Sequence, residues 1–136
     1  MNIYFAGAIR GGRAEQPKYE EFVRILKQHG TVCSEHVGDE TISAYGETDL
    51  VAEEIHEREL KVLEKSDVVV AEVTTPSLGV GYLIAQAEKM GKRILAFYHG
   101  QDSLKLSAMI KGNAHVDVHM YERLEDVERI LAESLV

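Results

Sequence analysis

The run Asp67-Val68-Val69-Val70-Ala71 constrains the fold of this chain more than any other stretch. Three successive valines favour a strand, because β-branched side chains pack well on a pleated surface. A strand with one wet face alternates apolar and polar residues. An uninterrupted apolar strand is buried on both faces, as in a parallel sheet covered by helices on each side. The remaining sequence supplies such helices. Tyr19, Phe22, Val23, Ile25 and Leu26 form one apolar stripe and predict a helix over Gln16–His29, closed by a C-terminal Gly30. Further helices are expected over Leu50–Lys65, Ser77–Met90 (stopped by Gly91) and Glu122–Val136, with a short helical segment at Leu104–Lys111. Strands are expected at Met1–Ala6, Thr31–Ser34, Asp67–Ala71, Arg93–Tyr98 and Ala114–Met120, and a polar loop at Val37–Asp49. This alternation predicts one α/β domain over residues 1–136, with a Rossmann-like, open, mainly parallel five-stranded sheet and helices on both faces. Ligands of such sheets bind at the carboxyl ends of the strands, near a switch in strand order. The functional loops are therefore Gly7–Arg13, Glu35–Gly38, Glu72–Gly81 and His99–Ser107.

Charge and cysteine content narrow the function. The formal net charge is −8, which argues against a nucleic-acid polymer or an anionic membrane surface as partner. A small phosphate ligand needs only one local positive site. Cys33 is the single cysteine, flanked by apolar residues and expected to be a buried, inert thiol. No disulfide or cysteine-rich zinc site is possible within one chain. No apolar run approaches the ~18 residues of a membrane span, and the N-terminus lacks a secretory pattern. A reducing cytoplasm is the expected setting.

Four segments carry candidate chemistry. Gly7-Ala8-Ile9-Arg10-Gly11-Gly12-Arg13 lets backbone N–H groups approach an anion, with two arginines to charge-assist. Alone it reads equally as a turn with solvated arginines. Glu72–Tyr82 ends a strand and enters a helix through Ser77 and two glycines; Ser77 is a phosphate contact or simply an N-cap. In Glu53–Leu60, helical spacing puts Glu59 on one face with Ile55 and Val62, whereas Glu57 and Arg58 lie to either side. An inward carboxylate is the better acid–base candidate. His36 and His56 have no metal-ligand spacing, and no metal is expected. Ser107 opens the short helical segment, as a cap or a second phosphate contact.

Taken together, YFAGAIRGG at Tyr4–Gly12, EHV at Glu35–Val37, IHE at Ile55–Glu57, DVVVAEVTTPSLGVGY at Asp67–Tyr82 and LSAMIKG at Leu106–Gly112 resemble the 2′-deoxynucleoside 5′-monophosphate N-glycosidases of the nucleoside 2-deoxyribosyltransferase superfamily. The resemblance implies a flavodoxin-like fold, a homodimer, no cofactor, and hydrolysis of a deoxynucleotide to free base and 2-deoxyribose 5-phosphate. Carried over by position, the backbone of Phe5, Ala6, Gly7, Ala8, Ile9, Arg10 and Gly11, with the Arg10 side chain, faces the nucleotide, Tyr4 lies near the reacting sugar and His36 near the base. Ser77 and Gly79 hold the 5′-phosphate, and Ser107 and Met109 reach the site from the neighbouring subunit. Base exchange, known in the wider superfamily, acts on nucleosides without the phosphate and fits these phosphate-contacting stretches less well.

The departures fall on the chemistry. The family's nucleophilic glutamate is Leu83 here, its partner aspartate is Glu59, and a serine of its first loop is Ala8. Leucine cannot attack an anomeric carbon or stabilise an oxocarbenium ion. Glu59 then acts as base on water, another carboxylate takes over, or the chain is a catalytically impaired nucleotide-binding homologue. Glu88 points elsewhere on its helix, and Glu72, at the ligand edge of the third strand, reads as structural.

Overall fold

The structure is a computed structural model that describes residues 1–8, 16–33 and 51–135. Five strands, β1 (Asn2–Ala6), β2 (Thr31–Val32), β3 (Val68–Glu72), β4 (Arg93–His99) and β5 (Val116–Tyr121), form one sheet in the order β2-β1-β3-β4-β5. Every pairing is parallel. The helices are α1 (Gln16–Leu26), α2 (Ala52–Glu64), α3 (Leu78–Lys89), α4 (Ala108–Lys111) and α5 (Leu124–Ser134).

The valine run is central and doubly covered. Val68 and Val70 join Ile3, Phe5, Leu95 and Phe97 in a core closed by α1 and α5. Val69 and Ala71 join Tyr4, Ala6, Ile94 and Ala96 in a second core under α2 and α3. The period-two alternation of strand side chains thus divides each strand between two apolar layers. Phe22 of α1 anchors the first layer. Its ring stacks on Phe5 at 5.4 Å and meets Phe97 and Tyr121 edge-on, each at 5.6 Å.

Several boundaries differ from expectation for local reasons. The helical segment expected over Leu104–Lys111 divides into a 3₁₀ turn at Ser103–Lys105 and α4, with extended backbone at Leu106. Asp102 caps the turn through Leu104 N, and Ser107 caps α4 through Met109 N, so two caps start two short elements. The last helix starts at Leu124 because the Asp126 carboxylate accepts the N–H groups of Glu122 and Arg123, each at 3.0 Å. The two N–H groups hold that carboxyl below its usual range. The first helix ends at Leu26, and β2 is only Thr31–Val32, with Ser34 outside the described residues. Cys33, just past β2, is half-buried rather than core.

Gly30 is required by proximity, not by left-handed backbone. Only Gly91 (φ 73°) and Gly100 (φ 128°) have positive φ among the described residues. A Cβ on Gly30 would sit 2.3 Å from the Met1 carbonyl oxygen, which also accepts the Thr31 N–H at 2.9 Å. Gly30→Ala should therefore force β1 and β2 apart at their start and cost about 1–3 kcal/mol in urea denaturation; an unchanged midpoint would contradict this packing.

Candidate functional site

Strand order reverses between β1 and β3: the chain leaves β1 for β2 on one side and then crosses to β3 on the other. The crevice at this switch lies at the carboxyl ends of β1 and β3. Tyr4 of β1 points into the α2–α3 layer and is 1% exposed. Its hydroxyl donates to Glu59 Oε1 of α2 at 2.6 Å. Arg58 Nε donates to Glu59 Oε2 at 3.0 Å. Both carboxylate oxygens are thus fixed. The helical spacing anticipated this inward carboxylate: the Glu59 side chain is 13% exposed, whereas that of Glu57 is 70% exposed. Burial, then the negative charge of Glu59 and the hydrogen bond to it, push the Tyr4 phenol far above the usual tyrosine range. Tyr4 therefore remains the donor of the pair.

Glu59 lines a cavity of about 310 Å³ between α2 and α3, together with Ile55, His56, Gly79, Tyr82 and Leu83. Leu83, expected from the sequence to stand where the resembled family has its nucleophile, shares that wall with Gly79. His56 Nε2 and the Tyr82 hydroxyl lie 2.8 Å apart and bridge the two helices at its edge. Residue spacing poses His56 only as a metal ligand and does not reveal this bridge. Its signals were local: His56 is one turn before Glu59, and Tyr82 directly precedes Leu83.

Ser77 caps α3, its Oγ accepting the Val80 N–H at 3.2 Å. Ser107 caps α4 in the same way through Met109 N at 3.2 Å. Each hydroxyl keeps its own proton to donate. Ser77, Ser107, Met109 and Lys105 line a second cavity of about 810 Å³ in the same chain. The helix α3 separates it from the Glu59 cavity, with Val80, Gly81, Ile84 and Ala85 on one side and Gly79, Tyr82 and Leu83 on the other. At and near its rim Leu78, Leu104 and Met109 are 96%, 84% and 81% exposed.

The first loop is described only to Ala8. Phe5 is core on the α1 face, which leaves its backbone alone to face a ligand. Ala6 is buried in the α2–α3 layer, and Gly7 is buried at the end of β1. Ala8 is buried, and its N–H donates to the Tyr19 hydroxyl at 3.1 Å. Ile9, Arg10, Gly11 and His36 lie outside the described residues. No described helix is long and apolar enough to cross a membrane.

Comparison with known proteins adds an independent line. The sequence profile of the nucleoside 2-deoxyribosyltransferases matches residues 3–125. A Danio rerio protein named 5-hydroxymethyl-dUMP N-hydrolase is 44% identical over 135 residues, covering 98% of this chain and 94% of its own length. The Homo sapiens protein of that name is 48% identical over 113 residues, covering 82% of this chain and 65% of its own length. In fold, the chain is similar to the solved structure of the Clostridium botulinum CMP N-glycosidase, with TM-score 0.71 and 15% identity over 98% of this chain and 99% of that one.

Tyr4 gives a direct test of the buried pair. Below about pH 10 the phenol is protonated in both folded and unfolded chains. Above that value the unfolded chain ionises while folded Tyr4 does not, so stability falls by up to about 1.4 kcal/mol per pH unit. Tyr4→Phe should lack this share of the alkaline loss in denaturant titrations at stepped pH. A variant that loses stability as steeply as the wild type would contradict the pairing.

Proposed function

The chain belongs to the nucleoside 2-deoxyribosyltransferase family, and from that premise we propose that it hydrolyses the N-glycosidic bond of 2′-deoxynucleoside 5′-monophosphates, releasing free base and 2-deoxyribose 5-phosphate. The observation that carries this reading is the Tyr4–Glu59 pair, a fixed carboxylate at the strand-order switch. Cleavage develops positive charge on the sugar ring, and a held carboxylate beside it stabilises that charge. The names of the relatives supply the substrate class. The hydroxyls of Ser77 and Ser107 supply donors for the phosphate.

With Leu83 in the nucleophile's place, Glu59 acts on water. The water oxygen bonds to the anomeric carbon as the bond to the base breaks. Glu59 takes the water proton. The base leaves with the bonding pair and is protonated by solvent at the open side of the cavity. Tyr4 holds Glu59 in place. The first loop, through Arg10 and the backbone of Ile9 and Gly11, and His36 complete the nucleotide site in this reading. A second copy of the chain covers the larger cavity and brings its own Ser107 and Met109 to the neighbouring site. The exposed Leu78, Leu104 and Met109 support that homodimer. The cytoplasmic setting belongs to the same reading and is supported by the single cysteine.

Leu83 favours one competing reading, a nucleotide-binding homologue without turnover. Incubating the protein with the four deoxynucleoside monophosphates and 5-hydroxymethyl-dUMP, with chromatography for free base, decides between them. Release of base is expected; retained binding with no release would overturn the hydrolase reading. Glu59→Gln should lower turnover by about 10²–10⁴-fold. Leu83→Glu should raise it by at least about tenfold, because it restores a second carboxylate to the cavity. An active wild type that Leu83→Glu does not improve would place the chemistry wholly on the groups already present.

A further inference from the structure

Glu72 ends β3 with a fully buried carboxylate that the chemistry above does not use. Its Oε1 accepts the Thr74 N–H at 2.7 Å. Its Oε2 accepts the Thr74 hydroxyl at 2.9 Å and the Tyr121 phenol, and lies 3.5 Å from Lys18 Nζ. The Thr74 oxygen in turn accepts the His99 N–H at 2.8 Å. One carboxylate therefore ties α1, the turn after β3, and the ends of β4 and β5. Filling that volume would take only an apolar side chain, and a buried charge is costly to keep. The arrangement calls for a reason beyond packing.

That reason lies five residues further on, at Ser77. The turn after β3 is pinned in sequence. Val73 N donates to Phe97 O at 2.9 Å, Thr74 is held by Glu72 and His99, Pro76 fixes its own φ, and Ser77 caps α3. We propose that Glu72 is the positioning residue for the phosphate end of the site: through Thr74 it sets the turn that presents Ser77 to the 5′-phosphate. This rests on the proposed role of Ser77. Lys18 extends the clamp, because its neighbour Tyr19 accepts the Ala8 N–H of the first loop. The two ligand-facing turns thus share one support on α1.

In Glu72→Gln, the amide nitrogen turns away from the Thr74 N–H toward the donors gathered at Oε2, where the Thr74 and Tyr121 hydroxyls must accept instead of donate and the Lys18 ammonium meets a second donor, so that side of the clamp is weakened. A double-mutant cycle tests the idea without requiring turnover. Titration calorimetry with a deoxynucleoside 5′-monophosphate is performed on the wild type, Glu72→Gln, Ser77→Ala and the double variant. Each single change should weaken binding by about tenfold. If Glu72 acts through Ser77, Glu72→Gln should add less than about twofold on the Ser77→Ala background. Fully additive losses, or unchanged affinity in Glu72→Gln, would overturn the proposal. A wild type that binds no monophosphate would bring down the proposed function and this inference together, whereas binding with additive losses removes only the inference. If Glu72→Gln does not fold, Thr74→Val takes its place in the cycle: it keeps the Thr74 N–H bond and removes the hydroxyl link to Glu72 and His99.

Discussion

Burial of β3 on both faces is the constraint from which the rest follows. Its valines divide between two apolar layers, so neither face of the sheet can be left to water. Two helical layers are then obligatory, and parallel crossovers are the way a chain of alternating strands and helices delivers them. The strand order that results puts β1 and β3 side by side with their carboxyl ends at the switch. A residue at the end of either strand is thereby delivered to the crevice. Tyr4, Ala8, Glu72 and Ser77 all owe their positions to this arrangement.

How much of this the sequence reveals depends on the range of the interaction. The layers were legible because periodicity is local: an unbroken valine run and helical stripes at the i, i+3 and i+4 spacing are visible within a dozen residues. The inward turn of Glu59 was legible for the same reason. Its partner was not. Tyr4 is 55 residues away, and the bond depends on the register of β1 on β3 and on how α2 packs above both. The same blindness hid the His56–Tyr82 bridge and the partners of Glu72, which reads from sequence only as a structural carboxylate at the end of its strand. Gly30 shows a subtler limit. Its place after a helix suggests a left-handed cap, but the contact that demands it comes from Met1, just before the neighbouring strand. The break between Ser103–Lys105 and α4 came from two competing side-chain caps, which helical spacing alone does not weigh.

The two cavities divide the labour of the site. The smaller is lined by Glu59 and Leu83; the larger holds both capping serines. The helix α3 stands between them, with different faces toward each. In the proposed function, binding and bond-breaking are therefore built from different walls, and a substitution at position 83 leaves the residues of the larger cavity in place.

The Tyr4 phenol has a consequence for anyone who follows this protein with a pH meter. A group that never gives up its proton in the working range cannot bend a titration curve. It acts as a constant, a fixed dipole aimed at one oxygen of Glu59, equally present in mild acid and mild alkali. A pH dependence of the proposed reaction near neutrality therefore has its source outside Tyr4.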